Sequence, residues 1–151
     1  MTRRGPSTGS GERSLVHEHR FVSIIQKMPT TRTRKKTLTI EDYARLSVVE
    51  VSDKLGSDVV LLDLRGVSDF TDFFVIGSGE TDRHLESMAD DLERKMRTDG
   101  LHLSHREGRG KGGWVLLDFP GFVVHLFLRP ARERYALEKL WARAAEIVRI
   151  Q

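Results

Sequence analysis

The sequence contains no cysteine. This absence excludes a disulfide framework, a thiolate metal site and a cysteine nucleophile. The chain also has no apolar run near the about 18 residues that a membrane-spanning helix needs. Near the N-terminus, Gln26 and Lys27 interrupt the short hydrophobic stretch that a secretory signal would require. We therefore expect no membrane partner, and the composition is compatible with a reducing compartment such as the cytoplasm.

Charge is divided unevenly along the chain. Residues 1–38 contain nine Lys and Arg against two Glu, a net charge of +7. Residues 39–151 contain sixteen Lys and Arg against twenty Asp and Glu, a net charge of −4. A duplex-binding domain presents a basic face, which this mildly acidic body does not resemble. The acidic body suits a basic protein partner instead.

Residues 1–38 are rich in Arg, Thr, Ser and Gly and show little apolar periodicity. We predict that they form a disordered basic N-terminal extension. Three explanations of this extension stay open. Met28 is the true start of the protein, or the segment is an Arg-rich transit peptide that would direct the protein to an organelle. The third explanation is a tail that makes minor contact with RNA.

Residues 39–151 are predicted to form one α+β domain. Its element order is αββαβββα, with a mixed sheet of about five strands and helices packed on it. The first helix begins at Thr39, which forms a capping box with Asp42, and ends before Gly56 as its C′ residue. The strands are predicted at residues 59–64, 73–77, 101–106, 114–119 and 122–128, and the last pair is joined by a turn at Pro120 and Gly121.

Helical periodicity predicts three apolar faces. The first helix should bury Ile40, Tyr43, Ser47, Val51 and Leu55. The second begins at Thr81 or Asp82, ends at Gly100, and should bury Leu85, Met88, Ala89, Leu92 and Met96. A last helix is predicted from about Arg132 to Ile147, with its apolar side formed by Leu137, Leu140, Trp141 and Ala144.

The residues give no support for a catalytic, cofactor or metal site. A dinucleotide fingerprint beginning at Gly77 would need glycine at position 82, where Asp82 stands. The glycine-rich segment 108–113 lacks the spacing of a phosphate-binding Walker motif and is predicted to be a mobile loop. No Asp-x-Asp pair is present, and the six histidines show no zinc-ligand spacing.

One alternative stays open at this point. Asp63, Asp69 and Asp72 lie near predicted strand ends, where they could converge on a metal ion near the glycines of residues 77–79. That arrangement would indicate a nucleotidyltransferase or another nucleotide-binding enzyme. Loop and capping roles explain the same carboxylates equally well.

Trp114 stands between a glycine-rich loop and a predicted strand. Burial in the core is the commoner fate of a tryptophan, but the flanking glycines offer little local cover. Tryptophan is also enriched at binding hot spots, so Trp114 is a candidate anchor for a partner. His125 lies between two apolar residues of the next strand and is predicted to be a hydrogen-bonded structural or interface histidine.

Several segments, in order and at consistent spacing, resemble the ribosomal silencing factor family, also called Iojap or RsfS. The segments are 72–84 (DFFVIGSGETDRH), 107–108 (EG), 114–118 (WVLLD), 123–127 (VVHLF), Arg132 and 135–141 (YALEKLW). The resemblance covers residues 39 to about 142.

The resemblance implies a fold related to nucleotidyltransferases but without their catalytic acids, and hence no enzymatic activity, cofactor or small-molecule substrate. It implies a translation repressor that binds the large ribosomal subunit through ribosomal protein fourteen and prevents the small subunit from joining. It also implies self-association as a homodimer. Trp114 is the expected partner-binding anchor, with Glu107, Asp118 and His125 as the polar residues around it. In this setting the RNA contact of the basic tail would be with ribosomal RNA.

Overall fold

The computed structural model describes residues 37–151. The prediction of a disordered extension therefore lies outside the described residues, apart from its last two positions. Four helices and six strands form the described part of the chain. The helices are α1 (Ile40–Asp53), α2 (Asp82–Thr98), α3 (Arg129–Tyr135) and α4 (Leu137–Leu140). The strands are β1 (Ser57–Asp63), β2 (Phe73–Gly79), β3 (His105–Glu107), β4 (Trp114–Phe119), β5 (Phe122–Leu128) and β6 (Ala145–Ile150).

The first helix begins as the sequence predicts. The Thr39 hydroxyl accepts from the Asp42 N–H at 3.1 Å, and the Asp42 carboxylate accepts from the Thr39 N–H at 2.9 Å. This reciprocal pair is a capping box, so two of the donors left free at the helix N-terminus are satisfied.

The end of α1 differs from the prediction by one residue. Leu55, not Gly56, adopts the left-handed conformation, with φ of 69°, and its side chain is 79% exposed. The Gly56 N–H donates to the Val51 carbonyl at 2.8 Å, which completes a Schellman motif. Glycine is required at position 56 for a different reason. A Cβ there would lie 2.5 Å from Cγ1 of Val51.

The strands form one mixed sheet in the order β3-β4-β5-β2-β1-β6. Only the neighbours β2 and β5 run parallel, and all other pairs in the described sheet are antiparallel. The predicted hairpin between β4 and β5 is confirmed, with Phe119 opposite Phe122 and Gly121 at φ of 89° in the turn. In the segment 101–106, where a strand was predicted, only the last two residues enter β3.

The sheet has apolar side chains on both faces. One face packs against α1 and α2, and the predicted stripe of α2 (Leu85, Met88, Ala89, Leu92 and Met96) is fully buried there. The opposite face carries a smaller cluster in which Leu64, Phe74, Ile76 and Phe127 pack against residues that follow β5.

The predicted last helix is wrong. The chain forms two short helices, α3 and α4, with Ala136 between them in the left-handed conformation, and then the edge strand β6. Leu140, expected on the apolar side, is 71% exposed. The β-branched residues Ile147 and Val148 favour a strand, and β6 pairs with β1. The sheet consequently has six strands instead of about five.

None of the helices formed by residues 37–151 is long and apolar enough to cross a membrane.

Candidate functional site

The sheet face opposite α1 and α2 is only partly covered. Residues of α3, α4 and the segment after α4 pack on the second cluster through Ala131, Leu137 and Trp141. The same face carries half-buried and exposed side chains on β3 and β4. We call this part the open face. It consists of His105, Glu107, Trp114, Leu116 and Asp118, with Val123 and His125 beneath them.

All the residues predicted to bind a partner lie on the open face. Leu116 is paired with Glu107 on one side and with His125 on the other. Trp114 and Asp118 are two residues before and after Leu116, so their side chains project from the same face of β4. The structure therefore brings together Trp114, Glu107, Asp118 and His125 from three neighbouring strands.

Trp114 is half-buried and held in one orientation. Its indole stacks on Phe127 at a centroid distance of 5.0 Å and contacts Tyr135 at 4.6 Å. The indole N–H donates to Nδ1 of His125 at 3.2 Å. One side of the ring is thus packed on the protein, while the glycines before it add no side chain to cover the rest. A large aromatic group with few free rotamers is suited to anchor a partner.

A small cavity of about 130 Å³ lies beside this indole. It is lined by Glu107, Gly108, Trp114 and Leu116. Gly108 has φ of 83°, and a Cβ at this position would lie 2.1 Å from the Trp114 carbonyl oxygen. The close approach of the two strands at Gly108 therefore depends on the missing side chain, and it shapes the cavity that a partner side chain could fill.

Two carboxylates lie on the open face around Leu116, next to the aromatic centre. Glu107 is exposed and lies 2.8 Å from Nε2 of the exposed His105. Asp118 is half-buried and directly opposite His105 in the strand register. An apolar centre with an acidic rim matches a partner that presents basic side chains.

The edge strand β3 is fixed from the other side of the sheet. Arg106 donates to Glu86, Asp90 and Glu93 of α2 at 2.9, 2.9 and 3.3 Å. The loop after β3 is also attached to α2, because the Gly110 N–H donates to Glu86 at 2.6 Å. The segment predicted to be a mobile loop includes a short 3₁₀ turn at Gly110–Gly112 that packs on α2. This packing positions Glu107.

His125 lies beneath the open face and supports Trp114. Only 4% of its surface is exposed, so direct contact with a partner is small. Its Nδ1 accepts from the indole, which places the proton of the neutral ring on Nε2. Phe74 contacts the imidazole edge-on at 4.4 Å. Burial lowers the pKa of His125 from 6.5 to about 3.

The depressed pKa of His125 predicts a loss of stability in mild acid. Below pH 6.5 the unfolded chain takes up a proton that the folded chain excludes, so the free energy of unfolding decreases as pH falls towards 3. At pH 5 the expected loss is about 2 kcal/mol, at roughly 1.4 kcal/mol per pH unit. Urea unfolding of the parent and of His125→Gln at pH 7.5 and pH 5 measures this loss as the difference between the two proteins. His102→Gln, which changes an exposed histidine, should retain the parent's pH dependence. Equal pH dependence of the parent and His125→Gln would contradict the assignment.

Arg132 organises the chain beside the open face. Its guanidinium is buried and donates to the Asp58 carbonyl at 2.7 Å and to the Ser78 hydroxyl at 2.9 Å. It also forms a two-pronged pair with Glu138 at 3.1 and 3.0 Å. These bonds connect α3, α4, β1 and β2 at the floor of a cavity of about 400 Å³. Sequence reasoning gave Arg132 no role, although it belongs to one of the matching segments.

The same contacts explain the glycine-flanked Ser78. Its hydroxyl is occupied by Arg132, and a Cβ on Gly79 would lie 2.9 Å from Cε of Met88. The prediction that residues 77–79 form a turn is wrong, because they are the last three residues of β2 and pair with residues 126–128 of β5. The connection to α2 is only the two residues Glu80 and Thr81.

The carboxylates considered for catalysis lie at the other end of β2. Asp63 is opposite Phe73 at the start of this strand, whereas Ser57 is opposite Ser78 at its end. Arg65 donates to both oxygens of Asp63, at 2.9 and 2.7 Å, and lowers the pKa of that carboxyl. Among residues 37–151 there is no group of three or more His, Asp or Glu placed to hold a metal ion.

The fold and the open face together define a small α+β domain with one aromatic sheet face available to a partner. Residues 37–151 match the family described as ribosomal silencing factor during starvation. Ribosomal silencing factor RsfS of Halalkalibacterium halodurans is 34% identical over 107 residues, which cover 71% of this chain and 92% of that protein. The chain belongs to the ribosomal silencing factor family, and the resemblance noted in the sequence is confirmed.

Similarity extends to a mammalian protein and to solved structures. Mouse mitochondrial assembly of ribosomal large subunit protein 1 is 37% identical over 91 residues, covering 56% of this chain and 38% of that protein. A crystal structure of a protein from Chromobacterium violaceum matches with a TM-score of 0.67 at 27% identity, covering 70% of this chain and 88% of that one. The likeness to this solved structure supports the α+β fold.

Proposed function

We propose that this protein represses translation by binding the large ribosomal subunit and blocking the small subunit from joining. The docking partner on the large subunit is ribosomal protein fourteen, at the surface that meets the small subunit. A protein bound there acts by occupying space, so the mechanism needs no chemical step.

The observation that carries the proposal is the convergence of Trp114, Glu107 and Asp118 on one accessible sheet face in a chain of this family. The indole supplies a large apolar area whose orientation is already fixed by Phe127 and Tyr135. The carboxylates attract basic side chains and hold the partner in register. His125 contributes indirectly, by holding the indole.

The name of the mouse relative supports the choice of subunit, since it refers to assembly of the large ribosomal subunit. We extend this association with the large subunit from the mouse protein to the present chain. The acidic charge of residues 39–151 agrees with a basic ribosomal protein as the contact, because a domain bound mainly to ribosomal RNA would present a basic surface.

We propose that the protein has no enzymatic activity. Asp63 ends β1, and Asp69 and Asp72 precede β2, whereas the glycines of residues 77–79 lie at the far end of β2. The carboxylates and the glycines therefore do not surround a common substrate position. The alternative hypothesis of a nucleotide-binding enzyme required these three carboxylates to converge near residues 77–79.

The remaining features of the proposal concern residues 1–38 and self-association. The basic extension would add a minor contact with ribosomal RNA. Action in the cytoplasm fits the bacterial relative, and action in an organelle fits the mouse relative if the extension is a transit peptide. Formation of a homodimer stays a prediction from the family.

Co-sedimentation with purified ribosomal subunits tests the proposal. The protein should pellet with free large subunits and stay in the supernatant with small subunits. A parallel incubation with a labelled nucleoside triphosphate and magnesium should leave the nucleotide intact. Equal pelleting with both subunits would contradict docking on one ribosomal protein, and nucleotide consumption that stops on substitution of Asp63 or Asp72 would favour the enzyme.

A further inference from the structure

Phe70 is a large apolar side chain on the surface of the loop between β1 and β2. It is 67% exposed, yet its ring is in contact with two other aromatic rings. The centroid distances are 6.2 Å to Phe74 and 6.0 Å to Trp141. The side chain is therefore both accessible and supported from below, as an aromatic anchor at an interface is.

The backbone around Phe70 is held by hydrogen bonds. The Phe70 N–H donates to the Ser68 hydroxyl at 3.2 Å, and the Leu64 N–H donates to the Asp72 carbonyl at 2.8 Å. The Asp72 N–H in turn donates to the Gly121 carbonyl at 3.0 Å, which fastens the loop to the hairpin between β4 and β5. A residue presented on a fixed loop loses little conformational entropy on binding.

This loop is continuous with the open face. Asp118 on β4 is opposite Val123 on β5, and Val123 is opposite Phe74 on β2. These side chains form one row across the sheet, and the ring of Phe70 contacts the last of them. The same face also connects Phe74 with Trp114 through His125, at centroid distances of 4.4 and 5.8 Å.

The charges near Phe70 repeat those near Trp114. Asp69 and Asp72 are exposed and lie within two residues of Phe70 in the sequence, and Glu107 and Asp118 lie on the same sheet face as the indole. The nearby Arg65 is engaged by Asp63 at 2.7 Å. Both aromatic side chains are thus set among carboxylates, which favours one basic partner that spans them.

We propose that Phe70, with Asp69 and Asp72, is a second contact site for the basic protein surface that Trp114 engages. This inference rests on the proposed function, because it assigns the same partner to a larger surface. The bound protein would extend from β3 and β4 across the row Asp118–Val123–Phe74 to the loop between β1 and β2.

Photo-cross-linking tests the proposal without disturbing the fold. Phe70 is replaced by p-benzoylphenylalanine, which keeps an aromatic ring, and the full-length protein is bound to purified large subunits. The same amino acid at position 107 marks the open face, and at position 49 it marks the exposed surface of α1 on the opposite side of the sheet. Positions 70 and 107 should capture the same ribosomal protein, and position 49 should capture none.

Affinity measurements complete the test. Phe70→Ala should weaken binding to large subunits about tenfold, a loss expected for an exposed aromatic anchor. Val49→Ala, which trims another exposed apolar side chain, should bind as the parent does. If Trp114→Ala binds large subunits more weakly than the parent while Phe70→Ala binds with the parent's affinity, Phe70 is not a second contact site. The proposed function would still stand.

A measurement of self-association tests whether Phe70 instead forms a contact between copies of this chain. Sedimentation velocity of the parent and Phe70→Ala should give the same oligomeric state if Phe70 faces the ribosome. A change of oligomeric state together with parental ribosome binding would overturn the inference and assign Phe70 to a contact between copies of this chain. Absence of binding by the parent itself would overturn both the proposed function and the inference.

Discussion

Trp114→Ala is expected to weaken binding to the large subunit by about thirtyfold or more, because truncation of an aromatic hot spot typically costs about 2 kcal/mol or more. The indole is packed on Phe127 and Tyr135 along one side, so the substitution also removes internal contacts. Since the side chain is half-buried, we expect a stability loss of about 1–2 kcal/mol, below the about 3–5 kcal/mol of a fully buried tryptophan.

Two further variants separate binding from folding at this position. Val48→Ala removes a buried side chain from the α1 layer and should lower stability while leaving affinity unchanged. Trp114→Phe retains a ring on Phe127 but loses the donor to His125, and it should fall between the parent and Trp114→Ala. Thermal unfolding and affinity for isolated ribosomal protein fourteen are the measurements. A Trp114→Ala protein that binds like the parent would show that Trp114 is not the anchor. A Trp114→Ala protein that does not fold would show that the residue belongs to the core.

Arg132→Met is expected to produce the largest loss of stability of any substitution proposed for this chain. The change leaves the buried Ser78 hydroxyl without its partner and removes the two-pronged contact of Glu138. Because Glu138 is partly exposed and also lies 3.6 Å from Arg149, we expect a loss of about 3 kcal/mol, the lower end of the range for a broken buried pair. That amount is a large part of the stability of a small domain. The Asp58 carbonyl would also lose its side-chain donor. We expect α3 and α4 to loosen from the sheet, which would also remove the contact of Tyr135 with Trp114.

The control for Arg132→Met lies on the same helix. Arg129 is exposed, and Arg129→Met should leave the free energy of unfolding in urea nearly unchanged. Arg132→Lys keeps the charge but cannot form the two-pronged contact with Glu138, so its stability should be intermediate. An Arg132→Met protein as stable as the parent would mean that the hydrogen bonds around Arg132 contribute little to the fold.

Local signals in the sequence predicted much of the fold. The capping box at Thr39, the buried stripe of α2 and the turn at Gly121 depend on residues near one another in the chain, and each is present in the structure. Features that depend on the close approach of two chain segments could not be predicted from the sequence. Gly56 was taken as the helix-terminating residue, whereas a contact with Val51 explains why it is glycine.

The C-terminal segment shows why periodicity alone was insufficient. Leu137, Trp141 and Ala144 fit helical spacing and do pack on the second cluster, but the chain between them is not one helix. The strand β6 is stabilised by pairing with β1, which lies far away in the sequence. A pairing of this kind leaves only a weak local signal, here the β-branched residues Ile147 and Val148.

The sequence predicted which residues belong to the candidate site but not how they are arranged in space. Trp114, Glu107, Asp118 and His125 were chosen from matching segments, and the strand register that places them on one face became visible only in the structure. Burial of His125 changed its proposed role from a contact to a support for the indole. Phe70 was missed because a single aromatic residue in a polar loop carries no periodic signal.

The rate of subunit joining tests the central claim most directly. Large subunits preincubated with the parent are mixed with small subunits, and light scattering follows the formation of assembled ribosomes. The parent should reduce joining in proportion to its occupancy of the large subunit, and Trp114→Ala should require about thirtyfold more protein for the same reduction. Unchanged joining at saturating, verified occupancy would contradict the account, because a protein bound at the subunit interface must hinder the partner subunit.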